Sequence, residues 1–210
     1  CASNISEDLM RRDFTINSMA LGISKINRGT LLDPTNGLED LYKKRIRVLH
    51  SNSFIDDSTR ILRATRYEQR LSFTIEPRTL NWMLKAQSTG IFSTVTPDRL
   101  RKEIGIIVRE KQPSKVFKRA AELKTLEAIF QPLSKFKWLE YTPLDKQLEP
   151  LVWVGILAYG LTFNEANEWI LRLNMPNKWS KVVIDTVKLK DNITVLSNNS
   201  LPIVQLCELF

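Results

Sequence analysis

Apolar residues recur every three or four positions over most of the chain after residue 53, which is the spacing of one face of an α-helix. Gly, Ser, Thr and Pro residues interrupt this pattern at intervals and indicate where one helix ends and the next begins. The pattern therefore predicts that residues 53–130 are helical throughout. The predicted helices cover residues 56–71, 76–85, 97–110 and 114–130.

The first 50 residues show a different pattern, in which short apolar stretches alternate with turn-forming residues. A helix is predicted over 5–11, with Ser6 as its N-cap, and a shorter helix around 39–42. These stretches hold too few strands to close a sheet, so the region is predicted to be an incomplete α/β unit. The strand-like stretches are residues 21–26, 29–32 and 46–49.

The last third of the chain returns to helical spacing. Three prolines fall within residues 131–150, which predicts a linker there. The fold class predicted for the whole chain is mainly α with a partial α/β region at its start. The helices predicted after the linker cover residues 151–159, 164–173, 176–190 and 202–209.

Composition excludes several classes of protein. Hydrophobic residues make up 43% of the chain and charged residues 26%, which is ordinary for a globular protein. Every stretch without a charged residue, 150–164 among them, is shorter than the ~20 apolar residues that span a bilayer, so no membrane segment is predicted. Cys1 and Cys207 form no CxxC pair and His50 is the only histidine. We expect neither a zinc site nor a disulfide framework. We expect a reducing, cytoplasmic location.

Positive charge is concentrated in one part of the chain. The formal net charge is +8, and all of the excess lies in residues 1–130, because residues 131–210 hold equal numbers of acidic and basic residues. A surplus confined to one region indicates an anionic partner such as nucleic acid or nucleotide phosphates. Solubility alone is the alternative explanation.

The densest polar cluster is the segment 11–17, Arg-Arg-Asp-Phe-Thr-Ile-Asn. Two guanidinium groups beside a carboxylate, with the amide of Asn17 one helical turn further on, suit an anionic ligand that also carries hydroxyl groups. An ion pair exposed at a helix end is the alternative.

A second cluster lies on the predicted helix over 56–71. Asp57 and Arg60 are three residues apart, so an acceptor and a donor can lie side by side, as reading the edge of a nucleobase requires. Arginine, and no lysine, continues along the same face, and bidentate phosphate recognition favours arginine. A solvated charged face is the alternative. The arginines of this face are Arg60, Arg63, Arg66 and Arg70.

These clusters, in this order, resemble the class II (bacterial-type) tRNA nucleotidyltransferase and poly(A) polymerase family, which includes the CCA-adding and A-adding enzymes. The family pattern R-R-D-[FL]-T-x-N matches residues 11–17, and D-P-x-x-G-x-x-D-L matches residues 33–41. The pattern E-D-x-x-R-x-x-R-x-x-R-[FY] matches residues 56–67, with Asp56 in place of the usual Glu. A looser R-x-R-x-E element matches residues 99–103.

The resemblance implies roles for the matched residues. Asp57 and Arg60 would form the protein template that selects ATP or CTP, and Arg12 would contact the nucleotide's phosphates. It further implies a nucleotidyltransferase head (1–52), a neck (53–130) and a body (131–210) that begins to hold the tRNA acceptor arm. Arg63 and Arg66 would complete the nucleotide site, while Arg11, Asp13 and Asn17 would shape its ribose side. The RNA-binding candidates are Arg99 and Arg101 and a basic edge of Lys115, Lys118 and Arg119, for which a solvated face is the alternative.

Family members carry a further element, a D-x-D pair that binds Mg²⁺, upstream of the Arg-Arg-Asp motif, and this sequence contains none. The catalytic and metal-binding residues are therefore expected outside this chain. We expect an incomplete, by itself inactive piece of a tRNA 3′-end nucleotidyltransferase, completed by a missing N-terminal segment or by a second chain. Whether the parent adds CCA, A alone or poly(A) stays open. The alternative is a non-catalytic tRNA-binding module.

Overall fold

The computed structural model describes residues 4–135 and 148–193. The chain divides into two compact units between Val95 and Thr96. The described residues are mainly helical with a few short strands, which confirms the predicted fold class. In the first unit the helices are α1 (Ile5–Met10), α2 (Gly37–Tyr42), α3 (Ser53–Asp56), α4 (Thr59–Leu71) and α5 (Pro77–Ser88). In the second they are α6 (Pro97–Ile107), α7 (Pro113–Glu122), α8 (Thr125–Ile129), α9 (Pro150–Ala158), α10 (Phe163–Arg172) and α11 (Asn177–Asp191).

The division between the units falls inside the predicted neck, and the boundaries of head, neck and body stay a prediction. Much of the predicted linker, and the helix predicted over 202–209, lie outside the described residues. None of the helices in the described part of the chain is long and apolar enough to cross a bilayer.

Two short sheets lie in the first unit. Strands β1 (Ala20–Leu21) and β2 (Leu31–Leu32) pair antiparallel, and both are shorter than the strand-like stretches predicted over 21–26 and 29–32. Strand β3 (Arg45–Ile46) pairs in parallel with β4 (Thr74–Ile75). The prediction that residues 53–130 are helical throughout is wrong at β4. Ser72, with φ of 54°, ends α4, and the buried Glu68 carboxylate accepts a hydrogen bond from the Ile75 N–H at 3.1 Å.

Two helix starts also differ from the prediction. Asn4, and not Ser6, caps α1, because its side chain accepts a hydrogen bond from the Glu7 N–H at 2.9 Å. The helix predicted over 56–71 is broken at Asp57, whose backbone is extended with φ of −149°. The break gives α4 a start of its own and sets Asp57 directly before it.

Helix α4 has the two faces that its spacing predicts. Its apolar side is buried in the first unit, while arginines occupy the other side. The buried residues are Ile61, Leu62, Ala64 and Thr65, each with at most 1% of its surface exposed.

The motif at residues 33–41 holds the turn at the end of the segment 11–17. Asp33 accepts hydrogen bonds from the first N–H groups of α2, those of Gly37 at 2.7 Å and Leu38 at 2.9 Å. The fully buried Asp40 accepts the Thr15 hydroxyl at 2.7 Å and an N–H of Arg47 at 2.7 Å. Thr15 opens the 3₁₀ turn Thr15–Asn17, so this motif holds that turn in place.

Gly37→Ala is expected to destabilise the chain by about 1–3 kcal/mol, because a new methyl group has no room in this contact. A Cβ at Gly37 would lie 2.1 Å from the Thr15 carbonyl oxygen, and a backbone atom cannot move away cheaply. Urea unfolding measures the change. Glu39→Ala is the control in the same helix, since Glu39 is exposed and pairs with Lys43 at the surface. Equal stability of the two variants would contradict the close approach.

The second unit packs α9 against α11 and α10 against α11. Thr162 and Glu165 form a capping box at the start of α10, with the Glu165 N–H to Thr162 hydroxyl distance at 3.3 Å. Lys135 donates a hydrogen bond to Glu165, and this bond together with the Thr162 N–H holds the pKa of Glu165 below its ordinary value. The same carboxylate thus links the 3₁₀ turn Gln131–Lys135 to α10.

Candidate functional site: the junction of the Arg-Arg-Asp segment and helix α4

The Asp13 carboxylate is buried, with 8% of the residue exposed, and both of its oxygens are used. Oδ1 accepts hydrogen bonds from the Phe14 N–H at 3.0 Å and from the Asn17 amide at 2.8 Å. Asp13 therefore fixes the orientation of Asn17, the residue predicted to contact the ribose.

The other oxygen of Asp13 reaches helix α4. Arg63 donates its Nε–H to Asp13 Oδ2 at 2.8 Å and pairs with the same oxygen through Nη2. The two residues are 50 positions apart in sequence. This ion pair, with Asp13 buried and Arg63 partly buried, joins the two polar clusters that the sequence shows separately, and all of it lies within the first compact unit.

A second contact across the same junction positions Arg60. Its Nη2 donates to the Arg11 carbonyl oxygen at 3.2 Å, and its Nη1 donates to the Ser53 carbonyl oxygen at 3.4 Å. The guanidinium group is thus held by backbone atoms of the Arg-Arg-Asp segment and of α3. Arg60 and Arg63 lie one helical turn apart and meet the same segment.

Asp57, the predicted partner of Arg60 in reading a base, is half-buried at the start of α4. Its Oδ1 accepts the N–H of Thr59 at 3.1 Å and the Thr59 hydroxyl at 2.6 Å. Its backbone carbonyl accepts the Arg60 N–H at 3.1 Å. The acceptor Asp57 and the donor Arg60 therefore lie within one turn of the chain.

Arg66 does not lie on an exposed arginine face. The residue is 4% exposed, and its guanidinium carbon lies 4.7 Å from the centre of the Tyr67 ring. Tyr67 in turn contacts Phe14 edge-to-face with ring centres 5.7 Å apart. In this structure Arg66 packs on the Tyr67 ring, and its contact with a nucleotide stays a prediction.

The remaining charged groups of the first cluster lie at the surface. Arg11 and Arg12 are exposed, and Arg12 forms an ion pair with Asp8 one turn earlier.

The RNA-binding candidates all lie in the second unit, in different surroundings. Arg99 and Lys115 are exposed, Lys118 is half-buried, and Arg119 pairs with Glu122 at 3.2 Å. Arg101 is held by the Leu173 and Asn174 carbonyl oxygens at the end of α10 and by Asp98 at 2.7 Å. Arg101 thus caps a helix, which the sequence motif alone did not indicate.

The described residues contain no group of three or more His, Cys, Asp or Glu side chains that could hold a metal ion. Sequence reasoning also missed Thr59. A Ser or Thr two positions after an Asp is the signal that could have found it, because its N–H and hydroxyl can both bind that carboxylate.

Comparisons with known proteins identify the family of this chain. Residues 1–47 match the model of the "Poly A polymerase head domain", and residues 72–136 match that of the "Probable RNA and SrmB- binding site of polymerase A". The A-adding tRNA nucleotidyltransferase of Halalkalibacterium halodurans is 35% identical over 161 residues, covering 74% of this chain and 38% of the relative. That of Aquifex aeolicus is 39% identical over 138 residues, covering 66% and 16%.

Solved structures give the same result. A CCA-adding enzyme in complex with ATP matches with a TM-score of 0.79 and 30% identity, covering 98% of this chain and 52% of that one. The Thermotoga maritima CCA-adding enzyme in complex with tRNA matches with a TM-score of 0.74 and 34% identity, covering 93% and 50%. The chain spans less than two fifths of the length of these curated relatives and about half of these solved chains. The chain belongs to the class II tRNA nucleotidyltransferase and poly(A) polymerase family.

Proposed function

We propose that this chain is the nucleotide-reading and RNA-holding part of a tRNA 3′-end nucleotidyltransferase. The reaction is addition of C, A or both from CTP and ATP without a nucleic acid template. The observation that carries this proposal is the partly buried Asp13–Arg63 pair, which joins the Arg-Arg-Asp segment to the helix that carries Arg60 and follows Asp57. ATP and CTP complexes of CCA-adding enzymes with this fold support it.

Base selection follows from the chemistry of the two template residues. Adenine and cytosine each carry an exocyclic amine, and guanine and uracil carry a carbonyl oxygen at the corresponding position. The Asp57 carboxylate accepts from the amine, while the Arg60 guanidinium donates to the neighbouring ring nitrogen. A carbonyl oxygen facing Asp57 would leave two acceptors opposed, so GTP and UTP are rejected.

The other residues of the junction bind the rest of the nucleotide. Arg12 and Arg63 face the phosphates, for which the planar guanidinium group offers paired donors. Arg11 and Asn17 contact the ribose side, and Asp13 holds Asn17 and Arg63 in place. Arg66 completes the site from beneath.

We propose the tRNA acceptor arm as the second partner. The match of residues 72–136 to an RNA-binding family model and the tRNA complex of a solved relative support this. Arg99, Lys115, Lys118 and Arg119 contact the RNA backbone, and Arg101 shapes the surface beside them. In this proposal the chain comprises the head (1–52), the neck (53–130) and the body (131–210), as the family resemblance implies.

The reaction also takes Mg²⁺, which we place on carboxylates outside the described residues. Bound there, Mg²⁺ would supply positive charge for the attacking 3′ hydroxyl and for the leaving pyrophosphate. A cytoplasmic location, where tRNA is processed, completes the proposal. A non-catalytic tRNA-binding module is the second candidate, favoured by the +8 net charge and the RNA-binding family match.

Separate titrations of the chain with nucleotides and with tRNA distinguish the two candidates. We expect ATP and CTP to bind in preference to GTP and UTP, and tRNA to bind with an affinity that falls as salt is raised. Calorimetry suits the weak nucleotide binding, and gel shift suits the tRNA. Binding of tRNA with no response to any nucleotide would overturn the nucleotide-reading proposal and leave the RNA-binding module.

A further inference from the structure

Thr59 makes two hydrogen bonds to one oxygen of the Asp57 carboxylate. Its N–H lies 3.1 Å and its hydroxyl 2.6 Å from Oδ1. A carboxylate held by one donor can rotate about that contact, whereas two donors on the same oxygen limit both the rotation and the tilt of the group. The N–H bond belongs to the backbone, so the hydroxyl is the part that the side chain adds.

The Thr59 side chain is itself fixed. The residue is 4% exposed, although Asp57 is only half-buried. A hydrogen bond from a buried hydroxyl to an ionised carboxylate is roughly twice as strong as one between neutral groups, and water competes with it poorly. As a β-branched residue at the start of a helix, Thr59 also has few side-chain rotamers.

We propose that Thr59 is a specificity-determining positioning residue, whose hydroxyl orients Asp57 for reading the base. This inference rests on the proposed function, since it assigns a role within the nucleotide-reading site. Thr59 does not contact the nucleotide and acts through Asp57. Thr59 supplies a fixed hydrogen-bond donor. The family pattern around Asp57 and Arg60 specifies no residue type at position 59.

The reason for such a residue is geometric. An acceptor and a donor read one base edge together only if both lie in the plane of the base. Arg60 is held by the carbonyl oxygens of Arg11 and Ser53, so its position is set by the backbone. Asp57 receives the matching constraint from Thr59. Loss of the hydroxyl lets the carboxylate turn out of the plane shared with Arg60, which weakens discrimination between bases more than it weakens phosphate binding.

The test compares Thr59→Val, which keeps the shape and removes the hydroxyl, with Thr59→Ser, which keeps the hydroxyl. The ratio of dissociation constants for GTP over ATP, and for UTP over CTP, is measured by calorimetry for each variant. Thr65→Val is the matched control, because Thr65 is buried on the apolar face of the same helix and donates to the Ile61 carbonyl oxygen at 3.1 Å. Thermal unfolding of each variant reports its stability.

We expect Thr59→Val to lower both ratios by about tenfold, the size of one charge-assisted hydrogen bond, and Thr59→Ser to restore most of the loss. Thr65→Val should leave the ratios unchanged. Ratios unchanged in Thr59→Val, or an equal loss of affinity for all four nucleotides, would overturn the positioning role. A wild-type chain that binds no nucleotide would instead overturn the proposed function on which the inference rests.

Discussion

Asp57→Ala is expected to remove most of the chain's discrimination between ATP or CTP and GTP or UTP. The carboxylate is the acceptor for the exocyclic amine in the proposed template, and alanine offers none. A well-placed pair of base contacts is worth about 1–3 kcal/mol of discrimination, so the ratios of dissociation constants should fall by about 5- to 150-fold. Binding of the triphosphate by Arg12 and Arg63 should persist, so all four nucleotides should then bind with similar, weak affinity. Titration calorimetry with each nucleotide gives the ratios.

Asp56→Ala is the matched control, since it removes the adjacent carboxylate. Asp56 is exposed, and its Oδ2 lies 3.7 Å from His50 Nε2. This contact differs from those of Asp57, which binds Thr59. We expect its discrimination to equal that of the wild type. Retention of full discrimination by Asp57→Ala, or an equal loss in Asp56→Ala, would contradict the assignment of Asp57 as the template residue.

Asp13→Ala is expected to have the largest effect on stability, about 3–5 kcal/mol, because it leaves the partly buried Arg63 without its charged partner. Asp13 is 8% exposed and also holds the Phe14 N–H and the Asn17 amide. The loss should appear as a lower urea midpoint with little change in slope. Nucleotide affinity should fall as well, since Asn17 and Arg63 both lose their orientation.

The Asp8–Arg12 pair provides the comparison within the same segment. Its side chains are 41% and 52% exposed, and exposed pairs contribute about 0–1 kcal/mol. Asp8→Ala should therefore change the free energy of unfolding by less than about 1 kcal/mol. A similar small effect of Asp13→Ala would show that the Asp13–Arg63 pair does not stabilise the junction.

Helical spacing predicted most of the helices because each depends on local sequence. The two faces of α4 follow directly from the positions of Ile61 and Leu62 relative to Arg60 and Arg63. Strand β4 was missed because two residues are too few to show a period, and its pairing with β3 depends on a distant segment. The break at Asp57 depends on a hydrogen bond from its neighbour Thr59, which competes with a continuous helix.

The composition of the site was predicted better than its connections. The motifs named Asp13 and Arg63 as parts of one nucleotide site, but no local pattern indicates that the two side chains bind each other. The same limit applies to charge. In sequence, Arg66 and Arg101 cannot be distinguished from surface arginines. In the structure Arg66 packs on Tyr67 and Arg101 caps α10. Tertiary packing decides which cations reach solvent.

In the proposed function a nucleotide binds where the Arg-Arg-Asp segment meets α4. Nuclear magnetic resonance of the isotope-labelled chain titrated with ATP tests this most directly, through the backbone amides and the arginine Nε–H groups. We expect the largest shifts within residues 11–17 and 57–66, including the Nε–H groups of Arg60 and Arg63. Shifts confined to the second unit, or none at saturating ATP, would contradict it.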